Sequence, residues 1–80
     1  MLLVEDEQAV RFLVRTLLER AGYRVLEAED PSSARAMFDA EGARVDLLVT
    51  DVIMPGGKGP DLFRQLSAGQ PGLKVVYMSG

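Results

Sequence analysis

The 80-residue chain has no cysteine, no histidine and no tryptophan, and its aromatics are two Tyr and three Phe. Without Cys or His there is no disulfide framework, no Cys/His zinc site, no haem ligation by those residues, no Cys–His pair and no Ser–His–Asp triad. No apolar run approaches the ~18 residues that a membrane span requires. The opening Met1-Leu2-Leu3-Val4 meets acid at Glu5, so it lacks the basic flank and apolar length of a signal peptide. Basic residues are also sparse. Nine Lys and Arg are scattered singly against twelve acids, a net charge of −3, and no stripe suits nucleic acid. These absences lead us to expect a cytoplasmic domain that binds neither nucleic acid nor membrane. Carboxylates, hydroxyls, Lys, Arg and backbone remain to do chemistry.

What is present is ordinary globular composition: 48% apolar, 26% charged, eight Gly and four Pro. Disordered, collagen-like and low-complexity readings are excluded. A chain of this size buries only about 60% of its unfolded surface, so it builds one thin core and one domain.

Met1 to Val4 reads as a strand buried on both faces. From Gln8 the period becomes helical, with Ala9, Val10, Leu13, Val14, Leu17, Leu18 and Ala21 on one face and Arg11, Arg15, Glu19 and Arg20 off it. Gly22 stops this helix. Phe12 lies outside the stripe and reads as a half-buried surface aromatic. Tyr23 to Ala28 is a second strand, and Asp30-Pro31 an N-cap followed by proline in the first turn. Ala34, Met37 and Phe38 mark the inner face of the second helix, which Gly42 ends. Val45 to Thr50 is a third strand running into Asp51. Met54 to Gly59 is turn-rich, Pro60 opens a third helix through about Ala68, and Leu73 to Met78 is a fourth strand. This alternation predicts α/β architecture: right-handed crossovers and a parallel sheet covered on both faces.

Open parallel sheets bind ligands at the carboxyl ends of their strands. Glu5 and Asp6 follow the first strand, and Asp51 follows the third. If those strands are neighbours, three negative groups share one site, and their repulsion is relieved by protons or by a divalent cation. An oxygen-only donor set selects a hard metal, Mg²⁺, Mn²⁺ or Ca²⁺. A carboxylate held beside such an ion can act as a nucleophile towards phosphorus. Read singly, each acid could equally be an ordinary cap of the helix that follows it.

Leu2-Leu3-Val4-Glu5-Asp6-Glu7, then Asp51-Val52-Ile53-Met54-Pro55 with Gly59 four residues on, then a strand ending in Ser79-Gly80, resembles the receiver domain of two-component response regulators. The stretch from Pro71 to Gly80 looks most like receivers attached to hybrid sensor histidine kinases. The resemblance implies a flavodoxin-like fold with strand order 2-1-3-4 across four strands and three helices. It also implies that Asp51 accepts a phosphoryl group from the phosphohistidine of a histidine kinase or phosphotransfer domain. Asp6 and Asp51 would hold Mg²⁺ with the backbone carbonyl of Ile53, and Glu5 would act through metal-bound water. Ser79 matches the family's switch hydroxyl, and Met54, Pro55 and the glycines would shape the loop beside the site.

Members of that family continue into a fourth helix, a fifth strand and a fifth helix, so residues 1–80 are expected to be a receiver incomplete at its C-terminus. Its phosphoryl-contacting Lys and aromatic switch residue would be missing. Lys74 belongs at the opposite end of the sheet, and Lys58 reads as a solvated loop residue. The fourth strand would then be an apolar edge, with apolar sheet exposed beside the first helix, which predicts self-association, as a dimer through that edge or a swapped assembly that Phe12 could join, or else marginal stability. Other readings fit less well. A dehalogenase-type phosphatase needs an Asp where Ile53 stands. A P-loop fails because Val52 occupies its first glycine and Gly59 follows Lys58. A receiver-like interaction module that is never phosphorylated remains the alternative.

Overall fold

The computed structural model describes residues 1–41 and 45–78. Strands β1 (Leu2–Val4), β2 (Leu26–Ala28), β3 (Leu47–Asp51) and β6 (Lys74–Met78) form one parallel sheet in the order β2-β1-β3-β6. Helices α1 (Gln8–Arg20), α2 (Pro31–Glu41) and α3 (Gly59–Gly69) connect them. This is the expected flavodoxin-like layout. The first two strands are shorter than the expected Met1–Val4 and Tyr23–Ala28, because pairing is confined to the length they share: Leu2 lies beside Leu26 and Leu48, and Val4 beside Ala28 and Thr50.

Local chemistry sets the helix ends. The Ser33 N–H donates to Asp30 Oδ1 at 2.7 Å, so α2 carries its side-chain cap. That bond, with a smaller contribution from the Ser33 hydroxyl, holds the Asp30 carboxyl below its usual range. At the end of α1, Gly22 N–H reaches Glu19 O and Tyr23 N–H reaches Leu18 O, a Schellman stop. The predicted stop at Gly42 lies outside the described residues.

The stretch expected to be only a turn contains a second, two-stranded antiparallel sheet. β4 (Ile53–Met54) pairs with β5 (Gly57–Lys58). Gly56 and Gly57 take φ of 91° and 153°, backbone that a side chain would resist, and this lets the chain reverse within two residues.

The core lies on one side of the main sheet. Leu2, Val4, Ala28 and Leu48 pack with Ala34 and Phe38 of α2, Leu62 and Leu66 of α3, and Met54 of the hairpin. On the other side α1 buries no residue fully, although Leu3 and Val49 beneath it are buried. Leu13 and Leu17, expected on its inner face, are 59% and 56% exposed, and Val76 of β6 is 51% exposed. Arg11, expected to lie off that face, keeps its side chain only 16% exposed. The reason is Glu27, in the middle of β2, which draws the guanidinium inward. Phe12 is exposed rather than half-buried, with the Arg15 guanidinium 5.5 Å from its ring centroid.

Candidate functional site

Register brings the acids together. Val4 is level with Thr50, so the next residues along each strand, Glu5 and Asp51, emerge side by side at the carboxyl edge. One carboxylate oxygen from each of Glu5, Asp6 and Asp51 lies within 4.8 Å of the others. Glu5 is buried, Asp51 half-buried and Asp6 exposed, a gradient from sheet to solvent. They line an open cleft of about 740 Å³ with Glu7, Val10, Val52, Ile53 and Met78.

Glu5 is held at three points. Its N–H donates to Ala28 O at 3.1 Å, its carbonyl accepts from Arg11 Nη1 at 2.7 Å, and its Oε2 accepts the Glu7 N–H at 3.2 Å. Its burial therefore leaves no backbone group of its own unpaired. Asp51 is held by its backbone. The fully buried Thr50 donates its hydroxyl to Asp51 O at 3.1 Å, and Gly59 N–H ties the returning chain to Val52 O at 2.8 Å. At Gly59 the approach is so close that a Cβ would stand 2.2 Å from Asp51 O and 3.0 Å from Thr50 Cγ2. A side chain there requires the end of β3 to move.

Three converging carboxylates repel one another, and their donor set contains only oxygen. A hard divalent cation suits both facts, since Mg²⁺ favours one or two carboxylates with water completing its shell. The Glu5, Asp6 and Asp51 oxygens therefore fit such an ion. Ile53, whose carbonyl was expected to contribute, lines the same cleft and is 74% exposed. Met78 lies level with Asp51 on β6; Ser79 follows it and lies outside the described residues. Lys58 is exposed in β5, and Lys74 opens β6 at the far end of the sheet, its N–H on Asp46 O at 3.1 Å. Thr50 and Arg11 were not anticipated around the site. For Arg11 the available signal was Glu27, a charge set among the apolar residues of a short strand.

A parallel α/β sheet with order β2-β1-β3-β6 and an acid cluster at the carboxyl ends of its central strands defines the class of flavodoxin-like α/β domains that carry their site at that edge. The family model described as the response regulator receiver domain matches residues 1–80, and the chain belongs to that family. It is 42% identical over 79 residues to the sensor kinase CckA of Brucella abortus (strain 2308), covering 99% of this chain and 8% of that protein. Its fold superposes on a response regulator receiver domain protein from Clostridium thermocellum with a TM-score of 0.93, at 28% identity, covering 99% of this chain and 63% of that one. The response regulator TrrA of Thermotoga maritima, crystallised in complex with Mg²⁺-BeF, superposes with a TM-score of 0.87 at 27% identity, covering 98% of this chain and 66% of that one. The chain thus spans a small part of one relative and under two thirds of another. Among the described residues, no helix is long and apolar enough to cross a membrane.

Proposed function

We propose that the chain is the phosphoacceptor module of a cytoplasmic two-component phosphorelay, receiving a phosphoryl group on Asp51 from the phosphohistidine of a histidine kinase or phosphotransfer domain. The observation that carries this reading is the convergence of Glu5, Asp6 and Asp51 oxygens within 4.8 Å. Asp6 and Asp51 would hold Mg²⁺ with the Ile53 carbonyl, and Glu5 would act through metal-bound water. The ion would supply positive charge against the incoming phosphoryl oxygens.

The chain's own groups do the rest. An Asp51 carboxylate oxygen attacks phosphorus. The P–N bond of the donor breaks, its electron pair returns to the imidazole, and an acyl phosphate remains on Asp51. Strand β3 and the Thr50 and Gly59 contacts hold the nucleophile at the cleft floor, while the exposure of Asp6 leaves the mouth open to a donor. Ser79, the next residue after Met78, is proposed as the hydroxyl that turns to the phosphoryl oxygen.

Incubation with Mg²⁺ and a small-molecule phosphodonor, followed by intact mass, tests this reading. One added phosphoryl group, absent in Asp51→Asn, is expected. An unmodified chain would favour the alternative of a receiver-like interaction module. For self-association we propose the outer edge of β6, which pairs only with β3 among the described strands and exposes Val76 and Tyr77. Sedimentation should show a dimer that Val76→Lys dissociates; a parent chain that stays monomeric at high concentration would contradict it.

A further inference from the structure

Arg11 touches none of the three clustered carboxylates, yet it is bound to the backbone that carries two of them. Its Nη1 donates to the Glu5 carbonyl at 2.7 Å, and its Nε lies 3.4 Å from Glu27 Oε1. That carbonyl belongs to the peptide unit joining Glu5 to Asp6. Fixing its oxygen fixes the plane of the unit, and with it the direction in which the Asp6 Cα leaves the sheet. The other anchors of this loop hold Glu5, through its N–H to Ala28 O and its Oε2 to Glu7 N–H. The exposed Asp6 carboxylate has no hydrogen bond or ion pair of its own among the described residues.

We infer that Arg11 is a positioning residue for the acid cluster: gripped by Glu27 of β2, it orients the Glu5–Asp6 peptide so that Asp6 converges with Asp51. The planar fork of the guanidinium is what permits this. One nitrogen meets the carbonyl while another faces the carboxylate, a pair of directions that a lysine ammonium does not present on a rigid frame. Glu27 also accepts Arg15 Nη1 at 2.7 Å, so it is held from two successive turns of α1. Arg15 therefore shares the ion pair but not the Glu5 contact, which makes it the matched comparison.

The inference rests on reading the cluster as a divalent-cation site, and the experiment separates the two. Backbone amide resonances of Glu5, Asp6 and Glu7 are recorded in the metal-free chain, which is then titrated with Mg²⁺, for the parent, Arg11→Gln and Arg15→Gln. Arg11→Gln should shift the Asp6 amide and weaken Mg²⁺ binding about tenfold, the low end for residues that orient ligands from outside the metal's own shell. Arg15→Gln should leave the Asp6 amide in place and binding within about twofold, since it breaks only a partly exposed pair. Equal weakening in both variants would make Arg11 merely structural and overturn the inference, as would unchanged binding in Arg11→Gln. A parent that binds no Mg²⁺ would end the metal reading, and the metal-free Asp6 shift would still decide the role of Arg11. Should Arg11→Gln fail to fold, Arg11→Lys keeps the charge and one donor; a smaller loss of the same sign is expected, and no loss overturns the inference.

Discussion

The two faces of the main sheet are held by different forces. Beneath α2 and α3, Leu2, Val4, Leu48, Leu62 and Ala34 are sealed from solvent, and apolar burial does the holding. Beneath α1, Leu3 and Val49 are covered and Val10, Val14 and Leu18 are half-buried, but the helix leaves Leu13 and Leu17 exposed and adds the charged contacts of Arg11 and Arg15 with Glu27. The acid cluster belongs to the second face and draws on the first. Glu5 is tied to α1 through Arg11, whereas Asp51 stands on a strand whose other side is packed core. The packed face thus underlies the proposed nucleophile, and the face tied by charged groups underlies the acids beside it.

Leu48→Ala strikes the packed face and should have the largest effect, about 2–5 kcal/mol of stability, read by urea unfolding. A loss under about 1 kcal/mol would deny that this face dominates. Gly59→Ala places a Cβ into the Asp51 carbonyl and should cost about 1–3 kcal/mol while disturbing the strand of the proposed nucleophile. Unchanged stability together with unchanged Asp51 phosphorylation would contradict the close approach. Glu27→Gln removes the negative charge shared by Arg11 and Arg15 and should cost only about 0.5 kcal/mol, an effect that shrinks in high salt. Leu17→Ala, on the outward side of α1, should change stability by less than about 0.5 kcal/mol. A loss comparable to that of Leu48→Ala would mean that α1 is packed after all.

The smallest effect concerns pH. The folded Asp30 carboxyl lies below its unfolded value near 3.8, so its cap contributes fully above that value and is lost as pH falls through the folded one. Asp30→Asn, which still accepts the Ser33 N–H, should flatten this part of the acid limb of a stability–pH curve. An identical slope in the variant would contradict the assignment.

Much of this arrangement was legible in the sequence. The alternation of apolar runs and amphipathic stretches announced a parallel α/β sheet, and the positions of Glu5, Asp6 and Asp51 placed acids at its strand ends; that their strands are neighbours came from the family resemblance, not from periodicity. The burial of α1 was misjudged. Periodicity identifies an apolar stripe but not how much sheet lies under it, and Leu13 and Leu17 point where no described element covers them. Arg11 was misplaced for the complementary reason: its inward turn depends on Glu27, sixteen residues away, which a helical pattern alone does not register. The β4–β5 hairpin was invisible because two-residue strands carry no period, although Gly56-Gly57 marked its turn.

The central claim is that Asp51 is the phosphoacceptor of a cation-dependent acid site. Phosphorylation of the chain with a small-molecule donor, with Mg²⁺ or with excess chelator, followed by borohydride reduction and peptide mapping, tests it most directly. The account predicts reduction of an acyl phosphate to homoserine at position 51 alone, and only with Mg²⁺. Modification at another residue, or at Asp51 irrespective of Mg²⁺, would contradict it.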